Sequence, residues 1–143
     1  MSTETQIIEG RCHCGNISFE MTTAIPTEEI EARACDCSFC EMHGARNWSD
    51  PEGSTIIRVR DEAGLKRYVF ALKTAEFYIC TTCGAYVSAV LSDSQGVWST
   101  INLRLTPLAE VHERSASYGS EQTSDRVARR KRVWTPTKVL LGV

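Results

Sequence analysis

Apolar and polar residues alternate over short runs along most of the chain, as in half-buried β-strands. The runs predicted as strands are 17–21, 56–59, 65–70, 76–80, 85–91 and 97–103. Turn formers separate them, with a tight turn at Gly15-Asn16, a hairpin turn at residues 62–64 and a longer turn at residues 92–96. Residues 26–31 are expected to form a loop or a single helical turn, and residues 41–53 a turn-rich segment. This pattern predicts a mainly β fold of small antiparallel sheets.

The region from residue 113 to 143 differs from the rest in charge and periodicity. It carries seven Lys and Arg against three acidic residues, and seven minus three gives a local charge of +4. Its short helix is expected to run to about Trp134, with Val127 and Trp134 two turns apart on one face and Pro136 preventing continuation. The possible N-caps are Thr123, Ser124 and Asp125. We predict a basic C-terminal extension that packs through the apolar face of a short helix.

Length and composition set the class of protein. The 143 residues, 42% of them hydrophobic and 24% charged, suit one globular domain spanning residues 1–143. A net charge of −2 gives no general attraction for nucleic acids or anionic membranes. The polar start lacks a signal-peptide pattern, and no apolar run approaches the roughly 20 residues of a membrane helix. The sequence therefore predicts a cytoplasmic protein with no nucleic-acid or membrane partner, and assigns no oligomeric state.

Cysteine spacing points to the chemistry. The seven cysteines fall into three groups, which are Cys12 with Cys14, Cys35 with Cys37 and Cys40, and Cys80 with Cys83. Clustered thiols in a cytoplasmic protein are typically metal ligands or catalytic groups and seldom form a disulfide framework. Two pairs and one trio make one closed four-thiolate site and one open three-thiolate site, which accounts for every cysteine.

The two pairs are interpreted as a structural zinc site. Cys80-x-x-Cys83-Gly84 lies between predicted strands, which is typical of a zinc knuckle. A redox-active pair with this spacing normally opens a helix in a βαβ unit, and no such alternation is seen here. Cys12 and Cys14 then complete the four ligands.

The trio Cys35, Cys37 and Cys40 admits three interpretations. The favoured one is a catalytic zinc whose fourth position is exchangeable. The others are an iron–sulfur cluster with a ligand from His43 or substrate, and a structural zinc completed by His43 or Asp36. An open thiolate-rich zinc favours chemistry on small thiols, either addition to a carbonyl or the reverse carbon–sulfur cleavage.

Further side chains have a functional and a structural interpretation. The C-terminal arginines are candidates for pairing with substrate carboxylates, but a solvated helix face is the preferred expectation. Trp48, Tyr86 and Trp98 are candidates for a pocket wall, but core packing is the preferred expectation. His43 is expected to be solvated or structural.

The cysteine motifs carry a family resemblance. They are Gly10-x-Cys12-His13-Cys14-Gly15, Cys35-x-Cys37-Ser38-x-Cys40 and Cys80-x-x-Cys83-Gly84, followed by Ile101-Asn102-Leu103-Arg104. In this order, over about residues 8–108, the chain resembles the glutathione-dependent formaldehyde-activating enzyme family, which includes centromere protein V. The resemblance implies a β-tent fold and two zinc ions per chain. The structural zinc would be on Cys12, Cys14, Cys80 and Cys83, and the catalytic zinc on Cys35, Cys37 and Cys40.

Two hypotheses for function follow. The resemblance implies a carbon–sulfur lyase similar to S-(hydroxymethyl)glutathione synthase, which condenses glutathione with formaldehyde. Its partner would be a small thiol substrate such as glutathione. The alternative is a non-catalytic, zinc-stabilised binding module.

Overall fold

The computed structural model describes residues 4–70, 72, 74–119 and 121–143. Its strands are β1 Gln6–Arg11, β2 Ile17–Thr23, β3 Ala32–Cys35, β4 Asn47–Trp48, β5 Ser54–Val59, β6 Leu65–Tyr68, β7 Glu76–Cys80, β8 Tyr86–Asp93, β9 Gly96–Asn102, β10 Glu113–Ala116 and β11 Thr135–Leu141. The α-helices are α1 Ser38–His43 and α2 Thr123–Val133, and single 3-10 turns lie at Thr27–Glu29, Glu62–Gly64 and Leu103–Leu105. The predictions of a mainly β chain with a short C-terminal helix and cysteine clusters suited to zinc are confirmed. Neither α-helix in the described part of the chain has the length and apolar content needed to cross a bilayer.

The strands of the described residues form one hydrogen-bonded network. Its main path has the order β1-β2-β5-β11-β9-β4-β3-β10, and β8, β7 and β6 extend from the other edge of β9. Strand β11 joins the two halves, since Thr137–Leu141 run parallel to β5 while Thr135 and Pro136 pair antiparallel with β9. Strand β3 lies between β4 and β10, which brings Cys35 to the end of a paired strand.

The C-terminal region contributes more than the expected docked helix. Helix α2 begins after Gln122 without a side-chain cap, so none of the three predicted N-caps is used. Helix α2 ends at Val133, so Trp134 follows the helix, yet Val127 and Trp134 still pack into one apolar cluster. Strands β10 and β11 were not predicted. Pro136 near the start of β11 argues against a strand when only local preferences are considered.

Helix α1 takes only the first three residues of the turn-rich segment expected at residues 41–53, and the expected turn at its end is present, with the Gly53 amide donating to the Asp50 carbonyl at 3.0 Å. Cys37 is its N-cap, and Gly44 ends it in the left-handed conformation at φ 60°. Six residues are too few to show a helical period, so the hydrophobic pattern alone does not predict this helix.

The predicted turns are partly right. A turn joins β1 to β2 near Gly15, and residues 27–29 form a single helical turn, both as expected. The predicted hairpin turn at residues 62–64 is wrong, because β5 pairs with β2 and β11 whereas β6 pairs with β7. The turn between β8 and β9 is shorter than predicted, since Asp93 already pairs with Gly96.

The described residues form two apolar clusters. The larger one centres on β2, β5 and β9 and contains the fully buried Phe19, Ile57 and Ile101. The second contains Phe39 and Cys40 of α1 together with Trp134, the residue that follows α2. The trio is therefore embedded in an apolar cluster, between the sheet and α2.

Candidate metal centres

The four-cysteine cluster is formed by the β1–β2 turn and the β7–β8 turn. The sulfurs of Cys12, Cys14, Cys80 and Cys83 all lie within 4.8 Å of one another. The Sγ atom of Cys14 is 3.8 Å from that of Cys12 and 3.5 Å from that of Cys80. A disulfide needs about 2.05 Å, whereas four thiolates around one tetrahedral zinc at about 2.3 Å lie about 3.8 Å apart. The cluster therefore fits one tetrahedral metal ion.

Backbone geometry in the two turns aims these sulfurs at a common point. Gly15 and Gly84 adopt φ of 86° and 80°, a region that side-chain-bearing residues rarely enter. The amide of Gly15 donates to the Cys12 carbonyl at 3.0 Å, and the amide of Gly84 donates to the Cys80 carbonyl at 2.8 Å. Each glycine therefore closes a tight turn after a cysteine of its pair.

The thiols of this cluster differ in acidity. Burial raises the pKa of Cys12 to about 11. Burial also disfavours ionisation of Cys83, but hydrogen bonds from the backbone of Cys14 and Ala85 lower its pKa to about 6. If all four cysteines are ionised, their negative charges repel one another. A bound cation such as a structural zinc offsets this repulsion.

The trio lies where β3 passes into α1. The sulfurs of Cys35, Cys37 and Cys40 all lie within 4.8 Å of one another. The amide of Cys40 donates to Cys37 Sγ at 3.4 Å, so one ligand sulfur also caps the helix. Hydrogen bonds from Cys35 and Cys40 lower the pKa of Cys37 to about 2, whereas hydrogen bonds with Cys35 and Cys37 raise the pKa of Cys40. Ionisation of one thiol of the trio therefore disfavours ionisation of its neighbours, and a bound cation would offset that repulsion.

His43 and Asp36 do not complete the trio. In the described part of the chain, the group of metal-ligating atoms around the trio contains the three cysteines alone. His43 is exposed and hydrogen-bonds through Nδ1 to the Phe39 carbonyl at 2.8 Å. Its ring stacks on Phe39 with the centroids 4.2 Å apart, which supports the structural interpretation of this histidine. The trio thus offers three protein ligands.

Asn47 contacts the trio and was missed in the sequence. Its Nδ2 atom donates to Cys40 Sγ at 3.5 Å, and the hydroxyl of Tyr86 donates to Asn47 Oδ1 at 2.9 Å. Burial raises the pKa of Tyr86, which keeps its hydroxyl protonated as a donor. Asn47 lies on the two-residue strand β4, where no spacing relative to the cysteines could have indicated this role.

A cavity of about 400 Å³ opens beside the trio. Its lining combines aromatic and basic residues. The aromatic residues are Phe70, Phe77, Tyr86 and Trp134, and the basic ones are Arg33, Arg126, Arg129 and Arg130. Tyr86 is therefore a wall residue as well as a buried one, whereas Trp48 packs in the larger core. Trp98 packs on the second cluster beneath the Lys131 ammonium, 4.9 Å from its ring centroid.

The expectation of a solvated arginine face on α2 is wrong for the residues that face this cavity. The side chains of Arg126 and Arg129 are only 13% and 15% exposed. Arg129 binds Glu121 through two parallel hydrogen bonds of 2.8 and 2.9 Å and stacks 3.7 Å above the Tyr118 ring centroid. Arg126 Nε lies 3.5 Å from Glu121 Oε1, an ion pair without a hydrogen bond. Arg132 is exposed, as expected.

Comparison with protein-family models and with curated proteins gives no match. A crystal structure of a Rhodobacter sphaeroides protein, a Northeast Structural Genomics target, matches 74% of this chain and 99% of its own. The two share 28% sequence identity with a TM-score of 0.52. The fold and the site together define a mainly β protein with two cysteine clusters, each able to hold a metal ion.

Proposed function

We propose that the chain is a zinc-dependent enzyme of the carbon–sulfur lyase type that acts on the adduct of a small thiol. The observation that carries this proposal is the trio, which supplies three thiolates and borders a cavity of about 400 Å³. A site with three protein ligands and an accessible cavity has the composition of a catalytic zinc centre, whereas four cysteines make a structural one. The resemblance to the glutathione-dependent formaldehyde-activating family supports the same assignment.

Zinc suits both clusters. Thiolates are soft ligands that select zinc among the common divalent metals, and tetrahedral all-sulfur sites are typical of it. Cys12, Cys14, Cys80 and Cys83 would hold the structural ion, and Cys35, Cys37 and Cys40 the catalytic one. When bound at the trio, zinc supplies a Lewis acid that lowers the pKa of a thiol or polarises an aldehyde oxygen.

The chain's own residues position the reactants. Asn47 fixes the orientation of Cys40 through its hydrogen bond, and Tyr86 fixes Asn47 in turn. Phe70 and Phe77 offer an apolar surface for the carbon part of a substrate. In the reaction, the thiol sulfur forms a bond to the aldehyde carbon, the carbonyl π bond opens, and the thiol proton passes to the oxygen. The reverse step breaks the carbon–sulfur bond, and neither direction needs an oxidant or reductant.

Exchange NMR at equilibrium tests the activity directly. Carbon-13 formaldehyde is mixed with glutathione, 2-mercaptoethanol or 3-mercaptopropionate, and exchange between free and thiol-bound formaldehyde is measured with and without the zinc-loaded protein. We expect acceleration by the wild type and none by Cys37→Ser. Met42→Ala is the matched control, because Met42 is 81% exposed on the same helix. If the protein is folded and holds two zinc ions but accelerates exchange for none of these thiols, the proposed enzyme function is wrong and the binding-module alternative is favoured.

A further inference from the structure

Two guanidinium groups in the cavity wall, the buried Arg33 and the half-buried Arg130, make no salt bridge with a carboxylate of the described residues. Arg33 is 8% exposed, and its Nη2 donates to Ser49 Oγ at 2.8 Å and Thr100 Oγ1 at 3.1 Å. Both partners are neutral hydroxyls. A buried charge with only neutral partners is costly, and proteins normally provide it with a counter-charge.

Among the described residues, Arg130 on helix α2 also has a neutral hydroxyl as its hydrogen-bond partner and no carboxylate. Its Nη1 donates to Thr74 Oγ1 at 2.5 Å, and its guanidinium carbon lies 4.8 Å from the Trp134 ring centroid. Its Nε is buried and makes no hydrogen bond with the described residues. Arg130 therefore has an unused buried donor, and it lines the same cavity as Arg33.

The charges around the cavity do not cancel. Among the described residues, four arginines and two acidic residues, Asp36 and Glu121, line it, and four minus two leaves +2 before the cysteines are counted. Glu121 is already engaged by Arg129 through two hydrogen bonds. The positive charge at Arg33 and Arg130 is thus available to an anionic ligand.

We propose that Arg33 and Arg130 form an anion subsite that binds the carboxylate of the thiol substrate, so that the site selects short mercaptocarboxylates. This inference rests on the proposed function for the location of the substrate sulfur at the trio. Guanidinium groups bind carboxylates in paired, charge-assisted hydrogen bonds, which makes a carboxylate the natural ligand for two of them.

Strand β3 places Arg33 and the trio on the same wall of the cavity. Arg33 and Cys35 are two residues apart on this strand and both line the cavity. Side chains two residues apart on a strand share a face, and their Cα atoms lie about 6.7 Å apart. A carboxylate at Arg33 and a sulfur at the trio would therefore lie on the same face of β3, and thiols with a linker of two or three carbons are the probes that we choose.

Paired ligands that differ only in charge test the subsite. Cobalt-substituted protein is titrated with 3-mercaptopropionate and with its neutral isostere 3-mercaptopropionamide, and the cobalt absorption is followed. We expect the carboxylate to bind at least about tenfold more tightly in the wild type, the contribution of one charge-assisted pair. Arg130→Gln should reduce that ratio to near one. Arg132→Gln, an exposed position on the same helix, should leave it unchanged.

A second arm separates the subsite from the thiol chemistry. Butyrate and butyramide carry no sulfur, and a ligand that binds only the folded protein raises its melting temperature. We expect butyrate to stabilise the wild type and Arg132→Gln more than butyramide does, and to lose this advantage in Arg130→Gln.

The cobalt titration and the melting-temperature measurement together distinguish failure of the anion subsite from failure of the proposed function. If both thiols change the cobalt spectrum with equal affinity and butyrate has no advantage, the subsite is wrong and the proposed function stands. If no thiol changes the spectrum while butyrate still stabilises, the proposed function is wrong and the anion subsite stands. If Arg130→Gln weakens both thiols equally, Arg130 only positions the helix, and the subsite is wrong.

Discussion

Asn47 donates its side-chain amide to the sulfur of Cys40, with Nδ2 and Sγ 3.5 Å apart. A hydrogen bond to a ligand sulfur disperses its negative charge and fixes its direction, so it acts on the metal through the ligand. Tyr86 and the cysteine are both buried, so this contact lies inside the second apolar cluster. The trio therefore depends on a strand of two residues that carries no cysteine.

Replacing Asn47 by Ala is expected to weaken metal binding at the trio alone. Loss of such outer contacts typically costs 10–100-fold in metal affinity. Competition with a coloured chelator should show two classes of ion in the wild type, and the variant should change only the weaker class. Tyr86→Phe removes only the hydroxyl that orients Asn47, so its effect should be in the same direction and smaller. Equal weakening of both classes in Asn47→Ala would contradict this role.

The two cysteine clusters are expected to differ in their effect on stability. Cys80→Ser should unfold the domain, because a structural zinc supplies on the order of 10 kcal/mol to small zinc domains. Cys37→Ser should leave the chain folded, with one tightly bound ion instead of two. Metal analysis and circular dichroism on the same samples measure both effects. A folded Cys80→Ser protein, or a wild type that binds one ion in all, would contradict the division into two sites.

Glu121 is expected to hold α2 against the cavity wall. Hydrogen bonding to Arg129 lowers the pKa of Glu121, so this carboxylate is ionised at neutral pH. Glu121→Gln leaves Arg126 and Arg129 facing Arg130 without a counter-charge, and we expect the free energy of unfolding to fall by about 1–3 kcal/mol. Urea denaturation at pH 7 measures this loss. Glu110→Gln is the matched control, because Glu110 is exposed and makes no salt bridge with the described residues.

The sequence reveals local structure well and long-range pairing poorly. Strands β2, β5, β7, β8 and β9 follow from alternation, and helix α2 follows from its spacing of Val127 and Trp134. Strands β10 and β11 pair with β3 and β5 across more than half of the chain, and no local pattern encodes that pairing. The cysteine partition was predictable because metal ligands must converge. The arginines that line the cavity beside the trio could not be predicted as lining residues. A helical pattern shows which face of a helix is polar, but it does not show which part of the fold that face meets.

Trp134 is expected to contribute most of the packing between α2 and the trio. It is 5% exposed, belongs to the same cluster as Cys40, and stacks against Arg130. Trp134→Ala should lower the free energy of unfolding by about 3–5 kcal/mol, as large-to-small changes in a core do. Urea denaturation followed by circular dichroism measures this loss, and Trp134→Phe should recover most of it.

The zinc content of Trp134→Ala shows whether Trp134 contributes only to the stability of the fold or also to metal retention at the trio. The four-cysteine site lies in the other apolar cluster, with Cys12 and Cys80 in the larger core, so its ion should be retained in the folded variant. Trp134 lines the cavity beside the trio, so its removal enlarges that cavity, and the trio ion should exchange faster with a chelator than in the wild type. If the trio ion exchanges at the wild-type rate although the variant is destabilised, Trp134 contributes to the stability of the fold and has no effect on metal retention at the trio.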